Sequence, residues 1–222
     1  MKPSNISART FALVATLAVA AIASGCSILP GSERLDVYVL PLPAADVSPG
    51  SPAPAPVPWA LRVVTPLAAG GISGARIAVM PQAQRMSVYE GVRWSEPTPD
   101  LLRNRLLEAF RADGRVLQLS SDQAGLHADF ELDGDLMAFQ SEYRGAVVDA
   151  VIRFDARLVA RNSNRIVAVQ RFELREPVAG ALVPEVVEAF GRAADEFSSR
   201  IVNWTVEQGN LAHAAGSMGV KP

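Results

Sequence analysis

The sequence predicts an α/β fold of α+β character: one domain with a mostly antiparallel or mixed sheet and two principal amphipathic helices. Three observations predict it. The order of elements is strands, a helix, a run of strands and a last helix, without the strict alternation of a doubly wound sheet. Two segments carry apolar residues at helical spacing, and several others alternate with period two. The 222 residues include one cysteine, so no intramolecular disulfide forms and packing alone must hold the fold. That length suits one hydrophobic core and no second domain is apparent.

The chain opens with a processing segment. Lys2 and Arg9 make a positive start, and Phe11 to Ala23 is apolar or small throughout, too short a stretch to span a bilayer comfortably. Ala23, Ser24 and Gly25 then lead into Cys26, the sole cysteine. "IASGC" is similar to a bacterial lipobox, in which the cysteine becomes the lipidated first residue; the alternative is an ordinary signal peptide with an incidental cysteine. The expected division is residues 1–25 as signal, 26–34 as lipidated tether, 35–206 as the domain and 207–222 as a loose tail. Ser27, rather than Asp, follows the cysteine, which by resemblance to enterobacterial sorting favours the outer membrane. No later segment approaches 18 uninterrupted apolar residues.

From Leu35, "LDVYVLPLP" reads as a first strand ended by proline. Residues 44–58, "AADVSPGSPAPAPVP", are an extended Pro/Ala-rich excursion, with a proline-recognition site as the alternative. "WALRVVTP" and "ARIAVMP" are short strands stopped by proline, and "RMSVYEGVRW" (85–94) begins as a strand. In "TPDLLRNRLLEAFRADG", Thr98 can cap a helix, Pro99 suits the first turn and Gly114 provides the stop, while Leu102, Leu106 and Phe110 form its stripe. A four-strand meander follows, with a bulge expected at Gly134 or Asp135. Its clearest member puts Val148, Ala150, Ile152, Phe154, Ala156 and Leu158 on one face, and Asp149, Arg153, Asp155 and Arg157 on the other. A final helix from about Pro184 to Val206 carries Val186, Phe190, Ala193, Phe197, Ile201 and Trp204 along one stripe.

Chemistry is scarce. From Cys26 onward there are 19 basic and 23 acidic side chains with no basic block, which argues against nucleic-acid binding. "GGISG" fits neither a dinucleotide fingerprint nor a Walker loop, so no nucleotide cofactor is expected. Of the two histidines, His127 shares an alternating pattern with Asp129 and Glu131, read as a solvated strand face rather than a metal cluster. His213 falls in the tail. Serines lack a nucleophile elbow and a nearby histidine base, and Asp133 and Asp135 flank a glycine in the manner of a turn. The expectation is therefore no catalytic residues, no cofactor and no metal. "VRWSEPTPD" is the most distinctive text: Trp94 covers the core at a strand-to-helix corner or, on the other reading, meets a partner.

"LDVYVLPLP", the block from "LRVVTP" to "LLEAF" and the closing "FGRAADEFSSRIVNW" resemble the ABC-type transport auxiliary lipoprotein family, which includes the lipoprotein partner of the paraquat-inducible MCE system. The resemblance runs from Leu35 to Trp204. Its most specific residues are Tyr89, Arg93, Trp94, Pro97 and Leu101, with Trp204 at the close. It implies a non-enzymatic envelope lipoprotein, anchored in the outer membrane of a Gram-negative bacterium through palmitate and other acyl chains on Cys26. It further implies a role beside an MCE-domain periplasmic protein and its ABC permease and ATPase, in transport of phospholipid or other hydrophobic molecules. Homo-oligomer formation is left open. So is a stand-alone lipid-binding or structural envelope role. The family's aromatic approach after the third strand is missing from "GGISGARIAVM".

Overall fold

Alternation in the second half of the chain builds the framework on which everything else hangs. The computed structural model describes residues 35–42, 55–180 and 182–219, so the signal, Cys26 and most of the Pro/Ala-rich excursion lie outside the described residues. Nine strands form one mixed sheet: β1 (Asp36–Tyr38), β2 (Leu61–Val63), β3 (Leu67–Ala68), β4 (Arg76–Gln82), β5 (Arg85–Trp94), β6 (Leu119–Ser121), β7 (Phe130–Arg144), β8 (Val147–Ala160) and β9 (Arg165–Pro177). Helix α1 (Thr98–Asp113) follows β5, and α2 (Val183–Gly219) closes the chain. This is the α+β domain that the sequence predicts.

β7 is the axis. One edge pairs antiparallel with β8 along its whole length, and β8 pairs with β9. The other edge is shared in succession by three short parallel partners: β2 at Phe130–Leu132, β3 at Asp135 and Leu136, and β4 at Gln140–Glu142. Beyond these, β6 lies parallel to β2, while β5 and then β1 extend the sheet past β4. The expected four-strand meander is thus three strands, because β6 pairs with β2 across the sheet. β3, at two residues, carries no alternation that a sequence could show.

The bulge falls at Met137, between the pairs Leu136–Phe154 and Ala138–Arg153, rather than at Gly134 or Asp135. The extra residue points its side chain to solvent and lets both Leu136 and Phe139 face the core. Gly134 serves a different need. A Cβ there would run into the Phe154 ring and the Asp155 carbonyl, so the absent side chain leaves room for Phe154 on the neighbouring strand.

Both helices cover one face of the sheet. That face carries the predicted β8 row, Val148 to Leu158, together with Phe130, Leu132, Phe172 and Leu174. On α2, Phe190, Phe197 and Trp204 recur every seven residues. Phe190 stacks on Phe139 at 4.7 Å, Phe197 meets Phe154 edge-on at 6.1 Å, and Trp204 meets Phe172 at 5.7 Å. Such pairs add about 0.5–1.5 kcal/mol each beyond area burial. α1 starts at Thr98 with Pro97 as the cap residue, one position earlier than expected. Thr98 does not cap, because its hydroxyl and N–H both donate to the Gly74 carbonyl, at 3.0 and 3.2 Å. Gly114 ends the helix as predicted, at φ 76°, its N–H on the Phe110 carbonyl.

The largest departure is at the C-terminus. Residues 207–219, expected as a loose tail, continue α2. Gly209 makes this stable: a Cβ there would lie 2.5 Å from the Trp59 ring, so its absence lets the helix pass against the indole. Trp59 Nε1 donates to Asn210 Oδ1 at 2.9 Å in the next position. Gly209→Val is expected to lift this end of α2 off Trp59 and cost about 1–3 kcal/mol, read as a lower Tm together with a red-shifted tryptophan emission. An unchanged melt would show that the approach to Trp59 does not hold the helix end.

Candidate functional site

The family-like residues Tyr89, Arg93, Trp94, Pro97 and Trp204 do not converge on one spot. Trp94 is fully buried, edge-on to Phe139 at 5.9 Å and to Phe190 at 5.6 Å. Its backbone N–H donates to Ala75 O at 2.7 Å, and the backbone N–H of the next residue, Ser95, donates to Tyr38 O at 2.8 Å. The corner thereby stitches β5 to β1 and to the approach to β4. Arg93 is half-buried and its Nη1 reaches the Trp94 carbonyl at 3.3 Å. Pro97 is exposed, and its carbonyl accepts from Leu101 N as the helix begins. Tyr89 shares a 2.9 Å hydrogen bond with Ser141, and burial pushes its hydroxyl up to about 12, so it stays protonated. Trp204 stands further along α2, over Phe172.

The sheet face away from the helices is a lattice of ion pairs, which alternation makes predictable on β8 but not across its neighbours. Asp133 and Asp135 of β7 hold Arg157 of β8 at 3.2 and 2.5 Å. Asp155 of β8 holds Arg171 of β9 at 2.5 Å. Glu173 accepts from Arg153 and Arg175, both at 2.8 Å, and Arg175 goes on to Glu142 at 2.7 Å. Arginine is placed to serve two carboxylates at once, as its planar fork allows. The Arg171 hydrogen bond holds the Asp155 carboxyl below its ordinary value, and the Arg153 hydrogen bond, with Arg175, brings Glu173 down to about 2.

Among the described residues, two further surfaces expose apolar groups. Along β1, at one sheet edge, alternate residues Leu35, Val37 and Val39 are 50, 50 and 67% exposed. Between α1 and α2 lies a cleft of about 520 Å³, floored by small residues such as Ala109, Ala112 and Ser198 and bordered by Leu42. Under it, buried Arg105 of α1 pairs with Asp195 of α2 and lies 3.9 Å from Glu108; burial lowers the Arg105 pKa from its usual value. Sequence reading had no way to find this pair, since it joins two helices 90 positions apart.

His127 sits exposed in the connection before β7, not on the strand itself. Asp129 accepts from Ala60 N at 2.7 Å, and Glu131 pairs with Arg62 and Arg161, so the two carboxylates of the alternating trio are taken up by separate partners. Among the described residues no group of three His, Cys, Asp or Glu side chains is gathered to hold a metal ion, and no helix is long and apolar enough to cross a membrane.

This is a two-layer α+β domain whose distinguishing features are its surfaces: one charge-paired sheet face, one apolar edge and clefts along the helices. The chain belongs to the ABC-type transport auxiliary lipoprotein component family, whose model matches residues 38–202. It is thus a lipoprotein component that accompanies an ABC transport system. A crystal structure from Xanthomonas campestris is similar, with 27% identity, a TM-score of 0.71 and coverage of 80% of this chain and 98% of that one. A second crystal structure, of an uncharacterised protein, shares the fold at 17% identity and a TM-score of 0.60, covering 77% of this chain and 98% of that one. No curated protein matches the sequence.

The lattice predicts an acid response of definite sign. With its folded pKa depressed from 4.5 to about 2, Glu173 contributes stability that is fully present above 4.5 and lost as pH falls through about 2. Thermal melts should show Tm falling across that window. Glu173→Gln should flatten part of the fall and lower Tm by a few degrees near neutral pH, a modest effect because the pair is partly solvated. A variant with the wild-type acid profile would remove Glu173 from the account.

Proposed function

We propose that this chain is a non-enzymatic lipoprotein accessory, anchored in the outer membrane, of an ABC/MCE-type system moving phospholipid or other hydrophobic molecules across the periplasm. The observation that carries this reading is the family match over residues 38–202. In it, residues 1–25 are the signal, Cys26 carries palmitate and the other acyl chains, and residues 26–34 tether the domain to the periplasmic face. Each buried methylene contributes about 0.8 kcal/mol, so several chains hold firmly where one holds marginally. Ser27 after the cysteine supports the outer membrane as the destination.

The partners are an MCE-domain periplasmic protein and its permease and ATPase, which supply the energy. The interior of the domain supports docking over carrying: the space between helices and sheet is filled by Trp59, Trp94, Phe110, Phe139, Phe154, Phe190 and Phe197, each under 2% exposed. The apolar β1 edge is a contact surface suited to a partner strand or to a second copy in a homo-oligomer. In this reading Tyr89, Arg93, Trp94 and Pro97 shape the corner that presents β1, and Trp204 fixes α2.

The test is capture of the tagged full-length protein from envelopes in mild detergent, with mass spectrometry of what accompanies it. Stoichiometric MCE-domain and permease subunits are expected, and Cys26→Ser is expected to lose lipid mass and membrane retention while the domain keeps its melt. A clean preparation without transporter subunits would overturn the partnership, and an unchanged mass and membrane fraction for the variant would overturn the anchor.

A further inference from the structure

The continuation of α2 past Val206 creates a cleft that a loose tail would not. Its last turns stand over the start of β7 and the β8–β9 hairpin, bordering an open cleft of about 810 Å³, within the roughly 300–1,000 Å³ usual for small-molecule sites. One wall is aliphatic: Ile166 and Val167 from β9 face Leu211 and Ala212 from α2, and Ile166 and Leu211 are 56 and 60% exposed. Exposed apolar groups gathered on both sides of a cleft call for an apolar occupant.

The polar lining is the second observation. Both histidines of the chain, His127 from the connection before β7 and His213 from α2, line this cleft although 86 positions separate them. Arg165 lines it too, and Asn162 and Ser163 of the hairpin turn add donors. The one carboxylate in the lining, Asp129, already accepts from Ala60 N at 2.7 Å. The lining therefore offers N–H donors on His127, His213, Arg165 and Asn162, and its one fixed positive charge, Arg165, stands with the one carboxylate, Asp129, whose Oδ2 is turned to the Ala60 N–H. Among the described residues β9 pairs with β8 alone, here at Val159–Ile166 and Ala160–Arg165, and what it contributes to the cleft lining is Arg165, Ile166 and Val167.

We infer that this cleft binds a single-chain amphiphile with an anionic head, its first methylenes along Ile166, Val167 and Leu211 and its head among His127, His213 and Arg165. The site belongs to this chain alone and does not rest on the transporter partnership. It also lies outside the filled core, so it is a surface contact for one acyl chain and not a compartment for cargo.

The test uses the full-length protein in zwitterionic nanodiscs and palmitic acid bearing a mid-chain diazirine, with cross-links mapped by mass spectrometry. The corresponding fatty alcohol probes the head, and excess acetate tests whether a free anion suffices. Cross-links are expected on the peptides holding Ile166–Val167 and Leu211–Ala212, stronger for the acid than for the alcohol by about fivefold or more and unaffected by acetate. Leu211→Asp is expected to lower labelling by the acid by a similar factor. The triple variant His127→Ala/Arg165→Ala/His213→Ala should keep labelling but lose the preference for acid over alcohol. These side chains are exposed, so unchanged melts check that the fold persists. Labelling scattered over the domain, equal labelling by acid and alcohol, or loss of acid labelling to acetate would each overturn the inference.

Discussion

β7 has two edges and must satisfy four neighbours. One edge is given wholly to β8; the other is divided among β2, β3 and β4, each of which takes two or three residues. A straight strand could not serve this arrangement and keep one face apolar throughout, because the core row runs on even positions up to Leu136 and on odd positions from Phe139. Met137 supplies the change of phase. The helical layer depends on it in turn. Phe139, turned inward after the bulge, is the residue on which Phe190 stacks and against which Trp94 is set. The strand-to-helix corner, the seat of α2 and the placing of β1 beside β5 all follow from that one inserted residue.

What the sequence revealed was what period and punctuation can express. The β8 row and the α2 stripe were legible because long elements repeat their pattern, and the end of α1 because Gly114 adopts a left-handed conformation. The position of β6 was not legible, since three residues carry no information about which strand they join, and parallel pairing to β2 is a long-range choice. The start of α1 was misread by one residue because the partner of Thr98, the Gly74 carbonyl, comes from a loop 24 positions away. The C-terminal turns of α2 look like a tail in the sequence because small and polar residues, with three glycines, weaken the helical signal. Tertiary contact with Trp59 restores what propensity lacks. Of the site, the corner residues could be named in advance, but their dispersal could not, nor could the placing of two distant histidines along one cleft.

The two faces of the sheet solve opposite problems. Toward the helices, aromatic rings fill the space. Toward solvent, acids and arginines from three strands neutralise one another, so this face projects little net field despite its many charges. Neither solution extends to the β1 edge, the cleft between the helices or the far end of α2, where apolar side chains stay exposed among the described residues.

The seven-residue spacing of Phe190, Phe197 and Trp204 bears on how such a protein can diverge. Seven residues bring an α-helix back to within about 20° of its starting direction, so each ring descends onto the same strip of sheet. Exchanging one large apolar residue for another leaves this intact, whereas inserting or deleting one residue between them turns every later side chain by about 100°. Trp204 would then swing away from Phe172, and Gly209 would no longer face Trp59. In descent, the heritable quantity along this stretch of α2 is its residue count more than its spelling. Relatives can drift far in identity here while their gaps accumulate in the connections between elements.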